Sequence, residues 1–404
     1  MQKISVSDIN FRGRKALLRV DFNVPLDKTG NITDDRRLTS TLPTINKILN
    51  DGGTVIICSH MGRPQGIAVR ELSLRPVAKR LSELLGKNVL FAEDCIGPEA
   101  SNLTGKLSAG DCLLLENLRF HIEEEENDDD FAQKLSTLAD IYVNDAFGAA
   151  HRAHASTTAI TKFFPQAVAG LLMEKELRFL GQALNDPDRP LAAIIGGAKV
   201  SDKIDIIDNL LGNVDLLLIG GGMVFTFAKA MGYSIGESLL EENKIDLAGN
   251  LIEEFKRSET TVVFPTDTIV ATEISDSATT DVVSIEAVPD GSKGLDIGPE
   301  TVKLFTNSLK NARTIIWNGP MGVFEYKPFE TGTFEIAKEL AQLTSSGTKT
   351  IVSGGDTGAV IARLGLENNF THISTGGGAT LEFLEGKNLP GVEVLTDKPK
   401  VQTV

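Results

Sequence analysis

Short apolar runs recur along the whole chain and alternate with stretches whose apolar residues have helical spacing. Runs of the first kind occupy 16–20, 55–58, 113–115, 141–143, 192–195 and 216–219. Residues 74–85 show the helical spacing and stop at Gly86, a typical helix C-cap. Strand-like runs that alternate with helices predict βαβ units, so we expect an α/β fold with mainly parallel sheets flanked by helices.

The length of the chain predicts two domains rather than one. At 404 residues a single hydrophobic core is too large to be expected. Apolar residues at helical spacing over 171–184, followed by a turn rich in Asn, Asp and Pro, indicate a connecting helix. We therefore expect an N-terminal lobe at 1–170, an inter-domain helix and hinge at 171–190, and a C-terminal lobe at 191–386. The tail at 387–404 is expected to dock on the N-terminal lobe.

The runs of the first half end in side chains that suit an anion. Arginine binds phosphate or carboxylate through a planar fork of donors. Five basic residues follow apolar runs or stand beside Gly, Pro or His: Arg37, His60, Arg63, Arg119 and Arg152. Asp21 and Asn23 are alternate residues of one strand, so their side chains share a face and suit a hydroxyl. Ligands bind beyond the carboxyl ends of parallel strands, which predicts a small, multiply charged anion at this sheet.

The runs of the second half end in glycine clusters. Residues 196–203 read Gly-Gly-Ala-Lys-Val-Ser-Asp-Lys, and we expect Lys199 and Lys203 to lie one turn apart at a helix start that binds phosphate. Asp356 follows another glycine pair, and it suits either a helix N-cap or a Mg²⁺ ligand beside nucleotide phosphates. Residues 317–325 supply an apolar wall and Glu325, a carboxylate that suits a ribose hydroxyl.

Two further clusters suggest a metal but favour another interpretation. The acidic run at 123–130 is expected to be a solvated entrance to a helix at 131–138, because contiguous like charges rarely converge on one ion. His151 and His154 lack a carboxylate at the spacing of helical metal motifs, so an anion-binding or structural role is favoured.

Composition excludes several classes of protein. The net charge of −15 argues against non-specific binding of nucleic acid. The three cysteines lack metal-site spacing and are expected to be buried free thiols. The sequence shows neither a signal peptide nor an apolar stretch of membrane-spanning length, so we expect no membrane partner and a cytoplasmic location. P-loop, zinc-protease, nucleophile-elbow and G-x-G-x-x-G patterns are absent from the sequence, and the last absence disfavours a dinucleotide dehydrogenase.

Eight segments in this order resemble phosphoglycerate kinase over the whole chain. They are 19–25 (RVDFNVP), 59–64 (SHMGRP), 116–120 (ENLRF), 142–148 (YVNDAFG), 196–203 (GGAKVSDK), 220–223 (GGGM), 317–322 (WNGPMG) and 354–357 (GGDT). The resemblance implies two Rossmann-like lobes in a monomer that closes by a hinge. It also implies reversible, Mg²⁺-dependent phosphoryl transfer between 1,3-bisphosphoglycerate and ADP, giving 3-phosphoglycerate and ATP.

The same resemblance implies roles for individual residues. Those matched to the 3-phosphoglycerate site are Asp21, Asn23, Arg37, His60, Arg63, Arg119 and Arg152. Those matched to the ATP/ADP site are Gly197, Ala198, Lys199, Lys203, Gly220, Gly221, Gly294, Asn318, Glu325, Gly354, Gly355, Asp356 and Thr357. Catalysis is assigned to Arg37, Lys199, Gly355 and Gly378, and the metal to Asp356.

The sequence departs from the family pattern at one position and is ambiguous at another. Ser353 stands where the family often has glycine, which narrows the approach of phosphate if its side chain faces the ligand. Arg36 precedes Arg37, so a register error of one residue would misassign the catalytic arginine. The alternative function is a catalytically inactive nucleotide-binding homologue, although Arg37, Lys199 and Asp356 are all present.

Overall fold

The computed structural model describes residues 2–399 and divides the chain into two units. Among the described residues, one unit comprises 2–178 with 388–399, and the other comprises 179–387. Within residues 2–399 no helix has both the length and the apolar character needed to cross a membrane.

The first unit is built on a six-stranded sheet in which every pair of neighbouring strands is parallel. The spatial order is β3-β4-β2-β1-β5-β6, so β1 lies inside the sheet with β2 on one side and β5 on the other. The strands are β1 (Lys15–Arg19), β2 (Thr54–Cys58), β3 (Val89–Phe91), β4 (Cys112–Leu114), β5 (Ile141–Asn144) and β6 (Ala167–Ala169).

The second unit contains another parallel six-stranded sheet and two smaller ones. The order in the large sheet is β10-β8-β7-β15-β16-β17. An antiparallel sheet has the order β12-β11-β14, and β13 pairs with β9. The strands are β7 (Leu191–Ile195), β8 (Leu216–Ile219), β9 (Ser234–Ile235), β10 (Thr261–Val263), β11 (Asp267–Ala271), β12 (Asp281–Ser284), β13 (Ala287–Val288), β14 (Lys293–Ile297), β15 (Thr314–Asn318), β16 (Lys349–Ser353) and β17 (His372–Ile373).

Helices connect the strands of both units. The α-helices are α1 (Arg36–Asn50), α2 (Arg75–Leu85), α3 (Gly97–Lys106), α4 (Asp129–Ser136), α5 (Leu171–Asn185), α6 (Ile204–Leu210), α7 (Val224–Ala230), α8 (Ile245–Arg257), α9 (Pro299–Leu309), α10 (Thr331–Ser345), α11 (Gly355–Arg363), α12 (Gly378–Leu384) and α13 (Pro390–Glu393). Short 3-10 helices cover Val6–Asp8, Arg70–Leu72, Leu118–Phe120, Ile122–Glu124, Phe147–Ala149, Ala159–Phe163, Glu242–Lys244, Lys327–Phe329 and Glu367–Asn369.

Each large sheet buries its apolar strands between helices. In the first unit the core includes Phe11 and Phe22, both fully buried. In the second unit the core includes Phe305 and Trp317, the single tryptophan of the chain. Strands covered on both faces need continuous apolar runs, which is why the run pattern in the sequence locates them.

The predicted α/β class with mainly parallel sheets is therefore confirmed, as are several local features. The helix predicted at 74–85 is α2, and Gly86 ends it in the left-handed conformation with φ of 63°. A helix covers the residues predicted at 171–184, and it is α5. Cys58, Cys95 and Cys112 are free and buried, as expected, and burial raises the pKa of the Cys58 and Cys112 thiols to about 12.

The described part of the C-terminal segment belongs to the first unit. The backbone N–H of Ile4 donates to the Thr396 carbonyl at 2.8 Å, and that of Thr396 donates to Ala167 at 3.0 Å. Lys3 donates to the Leu395 carbonyl at 2.9 Å. Residues 400–404 of the tail predicted to dock lie outside the described residues.

The acidic run at 123–130 is a helix entrance only in its second half. Asp128 is the N-cap of α4, and its carboxylate accepts from the Phe131 N–H at 2.7 Å. Glu124, by contrast, is fully buried, so the expectation of a solvated run is wrong at that position. Its burial follows from partners far along the chain, described below.

Replacing Asp128 by alanine should destabilise the first unit. The change removes the only side-chain acceptor that caps α4 and costs about 1 kcal/mol of unfolding free energy. Urea unfolding followed by circular dichroism measures this loss. Asp129→Ala is the matched control, because Asp129 pairs only with exposed Lys162 and is expected to change stability by less than about 0.5 kcal/mol. Equal effects of the two substitutions would contradict the capping role.

Candidate active site

The predicted anion-binding side chains of the first unit lie around the carboxyl end of β1. Asp21 follows that strand, and its Oδ2 pairs with Arg37 Nη1 at 2.5 Å. Arg37 lies in the first turn of α1. The other oxygen of Asp21 lies 3.9 Å from Nε2 of His60, which follows β2. Parallel strands therefore bring residues from three separate segments of the sequence to one edge of the sheet.

A second set of contacts joins Asn23 and Arg119 to this group. The Gly62 N–H donates to Asn23 Oδ1 at 3.0 Å, and Arg119 Nη1 donates to the Gly62 carbonyl at 2.7 Å. Arg119 is nearly buried, and its Nε lies 3.2 Å from Glu125. Burial lowers the pKa of Arg119. The negative charge of Glu125 raises that pKa, but by less than burial lowers it. The backbone of Gly62 thus fixes the side chains of two predicted site residues, Asn23 and Arg119.

The remaining predicted residues of this site are held less directly. Arg63 is exposed and is placed beside the group by its neighbour Gly62. Arg152 Nε lies 3.1 Å from His151 Nε2, and the charge of Arg152 acts on both Arg119 and His154. The structure therefore brings Asp21, Asn23, Arg37, His60 and Arg119 into one contact network, with Arg152 within electrostatic range.

The surroundings lower the pKa of two histidines, His60 in this network and His154 beside it. Burial lowers the pKa of His60 well below 6.5, and Arg19, Arg119, Arg37 and His154 lower it further. Burial and neighbouring arginines also lower the pKa of His154 to about 3. The positive charge of the site therefore comes from arginine alone.

In the second unit, a cleft of about 500 Å³ opens among the glycine-rich turns. Six predicted nucleotide-site residues line it: Gly197, Ala198, Gly221, Gly294, Glu325 and Asp356. Its apolar walls include Phe225, Leu239, Met321, Val323 and Phe324. The wall predicted at 317–325 is thus formed by 321–324, while Trp317 lies in the core and donates to the Gly319 carbonyl at 2.8 Å.

Close contacts explain two of the glycines, one with backbone and one with a side chain. A Cβ at Gly221, whose φ is 72°, would lie 2.4 Å from the backbone N and O of Gly197. A Cβ at Gly294 would lie 1.9 Å from Cζ of Phe225. Side chains at these positions would collide with the loop and with the cleft wall, so both glycines shape the cleft.

Below the cleft, a chain of hydrogen bonds fixes Lys203. Its ammonium donates to Asn318 Oδ1 at 2.5 Å, and Asn318 Nδ2 donates to Ser353 Oγ at 2.9 Å. Ser353 is fully buried and its Oγ faces Asn318, so the condition under which it would narrow the approach of phosphate is not met. Thr357 Oγ1 accepts from the Gly319 N–H at 2.9 Å and ties α11 to the same loop.

The helix expected at Lys199 and Lys203 begins later than predicted. Residues 201–203 form a turn, and α6 starts at Ile204, so the two lysines do not lie one helical turn apart on one face. Lys199 is exposed, whereas Lys203 is half-buried and burial lowers its pKa. The predicted placement of the two lysines one turn apart on a helix face is therefore wrong: Lys199 is exposed, and Lys203 is held by Asn318.

The other predicted glycines follow a strand or stand at the start of a helix. Gly220 follows β8, and a Cβ there would lie 2.4 Å from Sδ of Met321. Gly354 is the N-cap of α11, while Gly355 begins that helix and faces open space. Gly378 begins α12 and is exposed.

Asp356 is placed to hold a divalent cation but does not cap a helix. It lies in the first turn of α11 after the N-cap Gly354, and its side chain caps no backbone N–H, so the N-cap interpretation is wrong. The side chain is exposed, lines the cleft, and interacts electrostatically with Lys203. One carboxylate beside a cleft open to phosphates is the donor set that Mg²⁺ uses with a nucleotide, so the residues present fit this ion.

A different set of metal-type ligands lies in the first unit. Within residues 2–399, ligand atoms of Asp94, Cys95 and His121 approach one another within 4.8 Å. His121 Nε2 lies 2.7 Å from Asp94 Oδ1, and this pairing raises the pKa of His121. The two side chains therefore satisfy each other as an ion pair.

Comparisons with known proteins agree with this geometry. A family model described as phosphoglycerate kinase matches residues 6–387. The chain belongs to the phosphoglycerate kinase family. The phosphoglycerate kinase of Chlorobium phaeobacteroides is 54% identical over 98% of this chain and 100% of its own length. That of Chlorobium chlorochromatii is 55% identical over the same shares.

Solved structures give the same result. The phosphoglycerate kinase of Coxiella burnetii superposes with a TM-score of 0.88 at 40% identity, covering 97% of this chain and 98% of its own. That of Pyrococcus horikoshii superposes with a TM-score of 0.84 at 32% identity, with the same coverage. The resemblance drawn from the eight motifs is confirmed, and the chain is an enzyme of the kinase class.

The residues that lie behind the anion-binding group were not predicted from the sequence. Arg19, Glu124 and Ser156 are fully buried, and they contact one another beneath His60. The available signal was a charged residue, Arg19, inside an apolar run, since buried charges are rare and need partners.

Replacing His154 by glutamine should weaken the acid sensitivity of stability. The folded protein keeps His154 neutral with a pKa of about 3, whereas the unfolded chain protonates it near 6.5. The stability contributed by His154 is thus fully present above pH 6.5 and is lost as the pH falls toward 3. Between pH 7.5 and 5.0 the wild type should lose about 2 kcal/mol more unfolding free energy than His154→Gln. Urea unfolding at each pH measures the difference.

His121→Gln is the matched control with the opposite sign. The Asp94 hydrogen bond raises the pKa of His121, so its stabilising contribution is present at low pH and is lost as the pH rises. Removing it should make the acid loss steeper. A His154→Gln variant whose stability follows the wild-type pH dependence would contradict the neutral state of His154.

Proposed function

We propose that the chain catalyses reversible, Mg²⁺-dependent phosphoryl transfer between 1,3-bisphosphoglycerate and ADP, giving 3-phosphoglycerate and ATP. The observation that carries this proposal is the pairing of two unlike sites in one chain of this family. One unit has an arginine-rich network around Asp21 and His60, and the other has a glycine-lined cleft with Asp356 and Lys203. The first suits a small phosphorylated acid, and the second suits a nucleotide.

The reaction needs charge neutralisation more than acid–base catalysis. In the ATP-consuming direction the nucleophile is the carboxylate of 3-phosphoglycerate, which is ionised at neutral pH. The residues must then position the two substrates and stabilise the charge of the phosphoryl group in transfer. The cations of the site are arginine and lysine, and His60 is neutral. This supports a mechanism based on charge neutralisation and not on acid–base catalysis.

We assign roles to individual residues as part of this proposal. Arg37 and Lys199 clamp the transferring group, and Lys203, held by Asn318, steadies the nucleotide phosphates. Gly355 and Gly378 begin helices and offer backbone N–H donors to the same charge. Asp356 would hold Mg²⁺, which when bound neutralises phosphate charge.

We further propose that catalysis requires a hinge-closing movement that brings the two sites together. Arg37 belongs to one unit and Lys199 to the other. A clamp made from both exists only while the units are closed on the substrates. Closure also excludes water that would otherwise hydrolyse the acyl phosphate. We also propose that the protein acts as a monomer in the cytoplasm.

A catalytically inactive nucleotide-binding homologue is the alternative. Such a protein would keep the cleft while losing the residues that stabilise transfer. Arg37, Lys199 and Asp356 are all retained, and Arg37 is oriented by Asp21. No feature of the described residues favours the inactive alternative.

A coupled assay of ATP consumption with 3-phosphoglycerate tests the reaction. We expect turnover that depends on Mg²⁺ and that falls by about 10²-fold or more in Arg37→Ala and in Lys199→Ala, since each removes a donor to the charge in transfer. Arg36→Ala is the matched control, because Arg36 pairs with Asp34 in the adjacent turn rather than with Asp21. Its turnover should stay within about twofold of the wild type.

The outcomes of this assay separate the alternatives. Folded wild-type protein without turnover would favour the inactive homologue. Loss of activity in Arg36→Ala with retention in Arg37→Ala would show that the register of the catalytic arginine is wrong.

Replacing Gly294 by alanine tests the nucleotide cleft separately. The new Cβ would collide with Phe225 and push it into the cleft, so the KM for ATP should rise about tenfold or more while that for 3-phosphoglycerate stays unchanged. Gly249→Ala is the control, because no atom lies within 4 Å of a Cβ at that position in α8. An equal rise in both KM values, or none in either, would contradict the assignment of this cleft to the nucleotide.

A further inference from the structure

Beneath the anion-binding group, Arg19 is completely enclosed by polar partners. It is the last residue of β1 and has no exposed surface. Its Nε donates to Ser156 Oγ at 2.8 Å, and its Nη1 donates to the Val20 carbonyl. Its Nη2 lies 3.2 Å from Nδ1 of His60. A buried guanidinium with three fixed partners has a single orientation.

The charge of Arg19 is balanced by Glu124, which is also fully buried. Glu124 Oε1 lies 4.0 Å from Arg19 Nη2. The same carboxylate accepts from Ser156 Oγ at 2.6 Å and from the Ser156 N–H at 2.9 Å. Tyr142 donates its hydroxyl to the Ser156 carbonyl at 2.7 Å. Ser156 thus bridges the two charges and is itself anchored to the sheet.

The buried pair of Arg19 and Glu124 is expected to contribute little net stability to the core. Removing two charges from water costs several kcal/mol per ion, and replacing a buried pair by apolar residues is often neutral or stabilising. The role of the Arg19–Glu124 pair is better understood from the side chain that Arg19 orients. Among the described residues, Arg19 contacts the anion-binding group through His60.

The contact with Arg19 determines which nitrogen of His60 carries the proton. A guanidinium offers only donors, so the atom that faces it must accept. Nδ1 of His60 is therefore unprotonated, and a neutral ring must carry its hydrogen on Nε2. Nε2 lies on the side of Asp21, whose other oxygen holds Arg37. The groups acting on His60 are the cations Arg19, Arg37 and Arg119, the neutral His154, and the carboxylate of Asp21.

We propose that Arg19, held by Glu124 through Ser156, is a positioning residue that locks His60 in the Nε2–H tautomer. His60 then presents a neutral donor of fixed direction to the bound anion, while the arginines supply the charge. This inference rests on the proposed function for the identity of the anion. The tautomer itself is a property of the free protein.

Nitrogen NMR of the wild-type enzyme tests the tautomer without any substrate. With ¹⁵N-labelled histidine, long-range ¹H–¹⁵N correlations distinguish the two tautomers and the imidazolium. The His60 signals are identified by their loss in His60→Gln. We expect a protonated Nε2 and an unprotonated Nδ1 from pH 5.5 to 8.5. An Nδ1–H tautomer, or conversion to imidazolium near pH 6.5, would overturn the proposal.

A paired substitution tests the role of Arg19. Arg19→Met combined with Glu124→Gln removes both charges together, so neither is left buried alone. In the folded variant the His60 pKa should rise toward 6.5 and its tautomers should mix. The KM for 3-phosphoglycerate should increase about tenfold with a smaller change in kcat, as expected for loss of one oriented hydrogen bond. Arg14→Met, at an exposed arginine just before β1, is the control and should leave KM unchanged.

The outcomes separate this inference from the proposed function. A folded double variant that keeps the Nε2–H tautomer and the wild-type KM would overturn it. If the double variant does not fold, the wild-type spectrum decides the tautomer. Wild-type protein with no turnover would overturn the proposed reaction, and the same spectrum would still confirm or refute the locked His60.

Discussion

Parallel pairing of β1 with β2 and β5 is the constraint on which the first site depends. Parallel strands end at the same edge of a sheet, so the residues that follow them meet there however far apart they are in sequence. Asp21 follows β1 and His60 follows β2, and the two approach within 3.9 Å. The second sheet repeats this arrangement, with glycine-rich turns after β7 and β8 meeting at the cleft. One topological rule thus places both sites.

The two candidate sites differ in the parts of the chain that form them. In the first unit, side chains form the site, and their directions are set by contacts such as Asp21 with Arg37 and Gly62 with Arg119. In the second unit the backbone approaches closely, and this requires glycine where a Cβ would meet Gly197 or Phe225. A small, multiply charged acid is recognised by directed donors, whereas a nucleotide needs room for a long phosphate chain and an apolar base. The proposed pair of substrates matches this difference.

Much of the fold was predictable from the sequence because buried parallel strands need continuous apolar runs. The runs at 16–20 and 55–58 are β1 and β2 within a residue or two, and Gly86 ends α2 as expected. Local sequence patterns gave wrong predictions where contacts between residues distant in the sequence determine the structure. The turn that delays α6 until Ile204 is held by Lys203 and Asn318, which are 115 residues apart. In the sequence Glu124 resembles a solvated acid. In the structure Ser156, 32 residues later, donates a hydrogen bond to its carboxylate.

Arg19 depends most strongly on contacts with residues that are distant in the sequence. In the sequence it is one charged residue inside an apolar run. In the structure it contacts Ser156, 137 residues away, and His60, 41 residues away. The proposed transfer to an ionised carboxylate needs positive charge and donors with a fixed direction. A protonated histidine would add charge but could not donate through Nδ1 to another donor. A guanidinium placed behind the ring excludes that state, so His60 can contribute direction while Arg37 and Arg119 contribute charge.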